Sequence, residues 1–212
     1  VQEMGPRVWQ LAHQAFRVDQ LGIVETFAAA LGGDYARTRV DCRLAGRGAE
    51  GRLTAAYYGE DDQTLDFRTF QDHAASDTTS ELIFKGAVDG SSRSVYSGLI
   101  RVRPEAVRTR AHQTNRNVKL SSNAWAKSVP NLEIETDDEV CSHASTVSPV
   151  DEDQRFFLES RGIPTGVAER LLLEGFFEDV AAAAPHPAVV ETLREALAER
   201  LDRRKAGEED TP

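Results

Sequence analysis

Two hydrophobic periods divide this chain. Through residues 8–147 apolar and polar positions alternate in short runs: Leu53, Ala55 and Tyr57 share one parity, as do Leu82, Phe84, Gly86 and Val88, with Glu81, Ile83, Lys85 and Ala87 between them. Successive side chains of an extended chain project to opposite faces, so these runs predict strands with one face on a core. Turn chemistry interrupts them at Gly32-Gly33-Asp34, at 46–51, at 59–62, at Asp89-Gly90 and at 137–139. The spacing, roughly 8–15 residues, suits sandwiches, barrels and β-solenoids alike. No repeated motif is visible, so a solenoid reading requires an irregular one.

Beyond Val147 the period lengthens. Ser148-Pro149-Val150-Asp151 has the form of a helix start, with a capping serine, proline at the first helical position and an acid three residues on. Phe156 and Phe157 follow, and Gly162 is the stop. Thr165 opens a second helix in which Ala168, Leu172, Phe176 and Val180 form a stripe widened by Leu173 and Phe177. Gly175 costs that helix about 1 kcal/mol relative to alanine and so predicts a close approach by another element. A third helix begins near Pro187, with Val190, Leu193, Leu197 and Leu201 at helical spacing. The expected organisation is a strand core over 1–147, a helical subdomain over 148–206 packed at its end, and a frayed polar tail over 207–212. The apolar side chains of the second and third helices exceed what one short helix can hide; packing within the subdomain accounts for most of them.

Composition narrows the class. A chain of 212 residues buries roughly 70% of its unfolded surface when folded. With 40% hydrophobic and 28% charged residues it has ordinary globular usage. The formal charge of -10, from 35 acidic and 25 basic side chains, is the wrong sign for binding nucleic acid through its phosphates. No apolar run approaches the ~20 residues of a membrane span, and no signal pattern is visible at the start. Cys42 and Cys141 are the only cysteines, which favours a reducing, cytoplasmic setting. Val1 already lies in structured-looking sequence, so the chain reads as a portion of a longer one.

Standard catalytic signatures are missing: there is no Walker loop, nucleophile elbow, HExxH or paired CxxC. Gly46-Arg47-Gly48-Ala49-Glu50-Gly51 matches a dinucleotide fingerprint, but strand-like alternation follows where the fingerprint requires a helix, which makes it a glycine-rich turn. At 138–146 the chain reads Asp-Glu-Val-Cys-Ser-His-Ala-Ser-Thr, and a strand there projects Cys141 and His143 to one face. Both ligate soft or borderline metals, yet two ligands do not close a site, and a buried cysteine beside a hydrogen-bonded histidine is an equally ordinary reading. His73 and His112, in strand-like runs, read as core or surface histidines. Asn115, Arg116 and Asn117 suit a turn or a ladder of side-chain hydrogen bonds, and Arg203, Arg204 and Lys205 suit the negative end of a helix.

Several of these segments occur together in a known order. Gln71-Asp72-His73, Thr78-Thr79-Ser80-Glu81-Leu82-Ile83-Phe84-Lys85-Gly86, Gln113-Thr114-Asn115-Arg116-Asn117, Cys141-Ser142-His143, Ser160-Arg161-Gly162-Ile163 and Glu174-Gly175-Phe176 resemble the C-terminal portion of the SufB/SufD family of iron-sulfur cluster assembly scaffolds. The QTNRN and CSH forms favour its SufD branch. Before Gln71 the likeness is one of general character. Ala144 and Ser145 stand where the family has glycine and alanine, so no positive φ is expected at 144.

The resemblance implies a right-handed parallel β-helix followed by a helical subdomain, in a non-catalytic scaffold. It implies pairing with SufB through the β-helix end and docking of the SufC ATPase on the helical subdomain, with Arg161, Gly162, Leu172, Phe176 and Phe177 in the docking segment. It further implies a nascent iron-sulfur cluster at the SufB interface, where His143 is the candidate ligand in trans and Cys141 a weaker one. No cofactor is expected to stay on this chain alone; reduced flavin belongs to the full complex, and an isolated chain has the option of pairing with itself. Two rivals come from other classes: a β-helix enzyme, which needs a groove of carboxylates and basic residues on one solenoid face, and a self-contained β-sandwich binding module.

Overall fold

The computed structural model describes residues 2–184 and 186–209. Eleven strands come first: β1 Gln2–Met4, β2 Trp9–Val18, β3 Ile23–Gly32, β4 Tyr35–Leu44, β5 Glu50–Gly59, β6 Thr64–His73, β7 Thr79–Val88, β8 Arg93–Val102, β9 Thr109–Lys119, β10 Trp125–Ile134 and β11 Glu139–Pro149. Odd strands form one sheet in the order β1-β3-β5-β7-β9-β11, and even strands form a second in the order β10-β8-β6-β4-β2. Every pairing is parallel and in sequence, so Trp9, Tyr35, Thr64, Arg93 and Trp125 stack as one column. This is a two-sheeted solenoid of about 5 turns, and its parallel ladders exclude the antiparallel sandwich.

Each coil closes at a tight corner with a fixed backbone requirement. Leu21, Gly48, Asp77 and Arg108 occupy the same corner in successive coils, all with φ between 56° and 70°. Their N–H groups donate to the next coil, at the carbonyls of Arg47, Ser76, Val107 and Asp138. The 46–51 segment is therefore a corner leading into β5, as its sequence context predicts.

Alternation places Val40, Leu44, Leu53, Ala55, Leu65, Phe67, Leu82 and Phe84 inside, with Tyr57 and Tyr96 among them. The ring centroids of Tyr57 and Phe67 lie 4.7 Å apart, and those of Phe84 and Tyr96 5.0 Å apart. Gly86 makes room for this stack, because a Cβ there would meet the Tyr57 ring at 1.8 Å.

Three helices follow: α1 Glu152–Glu159, α2 Thr165–Ala182 and α3 Pro187–Glu209. The first starts later than its local signature predicts. Ser148 and Pro149 still pair with Val118 and Lys119 in the β11–β9 ladder, and the cap is Asp151, whose carboxylate accepts from the Gln154 N–H at 2.9 Å. A proline is tolerated at Pro149 because β11 ends its sheet. Gly162, at φ 84°, follows α1 as the predicted stop.

The helices lie along the flank of the solenoid, not at its end. Ala29, Leu31, Ala56, Tyr58, Ala87 and Val118, the outward residues near the ends of β3, β5, β7 and β9, form one cluster with Leu173, Phe177, Val180, Ala181, Leu193, Leu197 and Leu201. Charge clamps reinforce the seam. Arg200 donates to the Leu31 carbonyl at 2.7 Å, Arg203 pairs with Glu60 at 3.1 Å, and Arg204 pairs with Asp89 at 3.1 Å and Glu169 at 2.8 Å. These arginines thus have solenoid partners beyond any dipole role; the Lys205 side chain lies outside the described residues. Gly175 is exposed with open space where a Cβ would go, so among the described residues no other element approaches it closely. The helix also continues past Gly207 to Glu209, where the sequence suggests fraying; 210–212 lie outside the described residues.

Candidate functional site

β10 and β11 each terminate a sheet, so each presents a row of backbone N–H and C=O groups with no neighbouring strand. Trp125, Ile134, Val140 and Val147 are exposed there. Of the residues in β11, none is buried.

Register fixes what this edge displays. Cys141 aligns with Ala111, His143 with Gln113, Ser145 with Asn115 and Val147 with Asn117, and those four β9 residues are all buried. Cys141 and His143 thus share the lumen-side parity, as the period of two predicts. Ser142 has the opposite parity and meets His112, whose Nδ1 lies 2.8 Å from the hydroxyl. Ala144 has no positive φ, and β11 runs straight through it.

Cys141 is partly buried against a small cluster of Ile100, Val102, Ala106, Ala111 and Leu132. Burial, reinforced by the Glu139 carboxylate two residues away, pushes its thiol up to about 12. The sulfur is therefore a protonated thiol at neutral pH in the uncapped chain, a poor nucleophile and ligand until something displaces the proton. Cys42 is deep in the core, its thiol pushed up to about 11 by burial. His143 is exposed, and among the described residues its ring makes no hydrogen bond.

Beneath this edge the lumen turns polar. Tyr57 Oη donates to Asn117 Oδ1 at 2.7 Å, Asn115 Nδ2 donates to Tyr57 Oη at 2.9 Å, and Asn117 Nδ2 donates to Asn115 Oδ1 at 2.9 Å. Ser94 adds a bond to Asn117 at 3.0 Å. The asparagines of the QTNRN segment are thus a ladder that closes the core, while Arg116 points out. His73 is buried with both ring nitrogens engaged, to Thr78 at 2.8 Å and Ser80 at 2.9 Å. Burial lowers its pKa to about 4, which makes it a neutral core histidine. No group of three or more His, Cys, Asp or Glu suited to hold a metal occurs among the described residues.

A second surface lies on the helices. Phe156 and Phe157 are exposed, with the Arg161 guanidinium 3.5 Å from the Phe157 ring centroid. Leu172 and Phe176 are half-buried along a crevice of about 550 Å³ between α2 and the β9–β11 edge. There Lys85 donates to the Phe176 carbonyl at 2.9 Å and pairs with Asp179. Phe177, expected in the docking segment, is instead 2% exposed in the helix–solenoid seam and offers a partner no surface. The exposed aromatic pair of α1 and the buried Lys85 escape sequence reasoning; an outward lysine between Ile83 and Ala87 was the one available sign. No described helix is long and apolar enough to cross a membrane.

A parallel β-solenoid whose last coil is unpaired, with a helical layer on its flank, defines the class of this protein. The chain belongs to the SufBD family: residues 1–176 match the family profile described as SUF system FeS cluster assembly, SufBD core domain. It is 36% identical over 208 residues, 94% of this chain and 52% of the relative, to the iron-sulfur cluster assembly SufBD family protein Rv1462 of Mycobacterium tuberculosis. It is 29% identical to Escherichia coli SufD over 81% of this chain and 40% of that protein, and 30% identical to Bacillus subtilis SufD over 76% and 36%. The chain thus spans about half the length, or less, of the curated relatives it matches.

Proposed function

We propose that this chain is the C-terminal portion of a SufD-type scaffold that works without turnover of its own in cytoplasmic iron-sulfur cluster assembly, pairing with SufB along the β10–β11 edge and docking the SufC ATPase on α1 and α2. One observation carries the reading: the strand bearing Cys141 and His143 is the unpaired last strand of its sheet. A partner strand added there satisfies the open backbone and brings its own side chains beside His143. One imidazole and one protonated thiol cannot hold a cluster, so the remaining ligands come from the partner. The cluster is cargo formed at the interface, with His143 as ligand or proton acceptor in trans and Cys141 as the weaker candidate.

The docking surface reduces to Phe156, Phe157, Arg161, Gly162, Leu172 and Phe176. Reduced flavin, which the resemblance attaches to the full complex, finds no dinucleotide cradle at 46–51, a corner leading into a strand; no step is routed through it. A second copy of this chain competes for the same edge in the absence of SufB. Co-expression with SufB and SufC tests the proposal: a charge-introducing pair in β11, Val140→Glu with Val147→Glu, is expected to release SufB while SufC stays bound. Retention of SufB by that variant would move the pairing surface elsewhere.

A further inference from the structure

We infer that Gln113 is the positioning residue of the β11 edge: its amide, which makes no bond to His143 in the structure as it stands, holds that ring in one tautomer once a side-chain rotation lets Nδ1–H donate to Gln113 Oε1. The inference deepens the proposed role of His143, but its test does not depend on that role.

Gln113 is 1% exposed, and among the described residues neither Oε1 nor Nε2 has a hydrogen-bond partner. A buried amide left unmatched is destabilising, and the neighbouring asparagines of the same strand avoid that cost by bonding one another. The space for this amide is reserved by the opposite sheet. A Cβ at Gly98 of β8 would come within 2.6 Å of Gln113 Oε1 and 2.7 Å of Nε2, so a larger residue at 98 would oblige the amide to shift. Tyr96 Oη, which crowds the same point, is engaged with Thr69 at 3.0 Å.

The next residue outward in that column is His143, aligned with Gln113 in the β11–β9 ladder. Adjacent strands are about 4.8 Å apart, and aligned residues of a parallel pair share a face. An orphaned amide thus stands one strand below an imidazole that has no hydrogen-bond partner among the described residues. A ring that must present one nitrogen to a ligand or proton needs the other fixed by a hydrogen bond, and an amide oxygen serves that purpose. Nδ1 is the nitrogen nearer the strand, so its engagement leaves the Nε2 lone pair directed outward across the open edge. Gln71, whose amide is likewise without a partner at both atoms among the described residues, lies in register with Cys42 and with the buried Ile100 in the closed lumen.

Ring nitrogen shifts in the ¹⁵N-histidine-labelled isolated chain at pH 8 test the inference. Wild type is expected to show His143 predominantly as the Nδ1–H tautomer. Gln113→Met, which keeps length and removes every donor and acceptor, is expected to return His143 to the tautomer mixture of the urea-denatured chain. Gln113→Glu, which retains an acceptor, is expected to preserve the Nδ1–H form. His73 reports folding in each variant; should Gln113→Met not fold, Gln113→Asn, which withdraws the amide by one methylene, carries the same readout. Identical His143 shifts in wild type and the folded Gln113→Met or Gln113→Asn chain overturn the inference.

Discussion

Arg200 of α3 reaches across the helix–solenoid seam to donate to the backbone carbonyl of Leu31 in β3 at 2.7 Å, while its neighbouring nitrogen pairs with Glu3 at 3.1 Å. The side chain is almost wholly buried, so its loss leaves a buried carbonyl unmatched. Arg200→Ala is expected to cost about 1.5–3 kcal/mol, the range for hydrogen bonds to charged groups. Arg194→Ala, whose exposed pair with Glu178 is solvent-screened, is expected to cost less than about 1 kcal/mol. Urea unfolding of the two variants checks the ordering; equal losses would show that the Arg200 clamp contributes nothing special.

A methyl group at position 86 has no room beside the Tyr57 ring. Gly86→Ala is expected to destabilise the solenoid by about 1–3 kcal/mol or more, as overpacking does. Combining it with Tyr57→Leu should give a double variant less destabilised than the sum of the two single changes, since the clash then has nothing to strike. Strict additivity in thermal unfolding would refute the proposed contact.

His73 makes stability depend on pH in a defined window. Its folded pKa of about 4 lies below the ordinary value of 6.5, so between these values the unfolded chain binds the proton and the folded chain does not. This contribution is fully present above about pH 6.5 and is lost as pH falls toward 4, roughly 3 kcal/mol in all at about 1.4 kcal/mol per unit. His73→Gln should be less stable at pH 7 yet show a shallower decline over that window. An unchanged slope in the variant would remove His73 as its source.

Removing the helices is a poor test of ATPase docking, because it would strip the cover from Ala29, Leu31, Ala56, Tyr58 and Ala87. Phe156→Asp and Arg161→Glu act on exposed side chains instead. Each is expected to shift stability by less than about 0.5 kcal/mol while weakening SufC capture at least tenfold in a titrated pull-down. Undiminished capture by both would place the docking surface elsewhere.

Legibility in the sequence followed the range of the physics involved. The period of two in residues 79–88 and its lengthening beyond 165 are local, and both strands and helices fall where they indicate. The α1 start is also encoded locally, but the pairing of Ser148 and Pro149 with β9 is long-range and outweighs the cap signature. The helix position was half legible: Ala29, Leu31, Ala56 and Tyr58 are apolar on the outward parity, a sign that the outer face is covered, though not by what. Cys141 and His143 were readable as a pair on one face. The buried amide beneath His143 was not, because only the coil-to-coil register brings residue 113 under residue 143.

The proposed role of His143 is exercised at an interface formed in trans. The most direct measurement is the iron-sulfur absorbance and iron content of the complex purified by co-expression with SufB and SufC, wild type beside His143→Ala, each scored for SufB retained. The expected result is an intact SufB pair that accumulates little cluster. Normal cluster content in an intact His143→Ala complex would contradict it, and loss of SufB from that variant would make His143 a contact that holds the pair together instead of a participant in the chemistry.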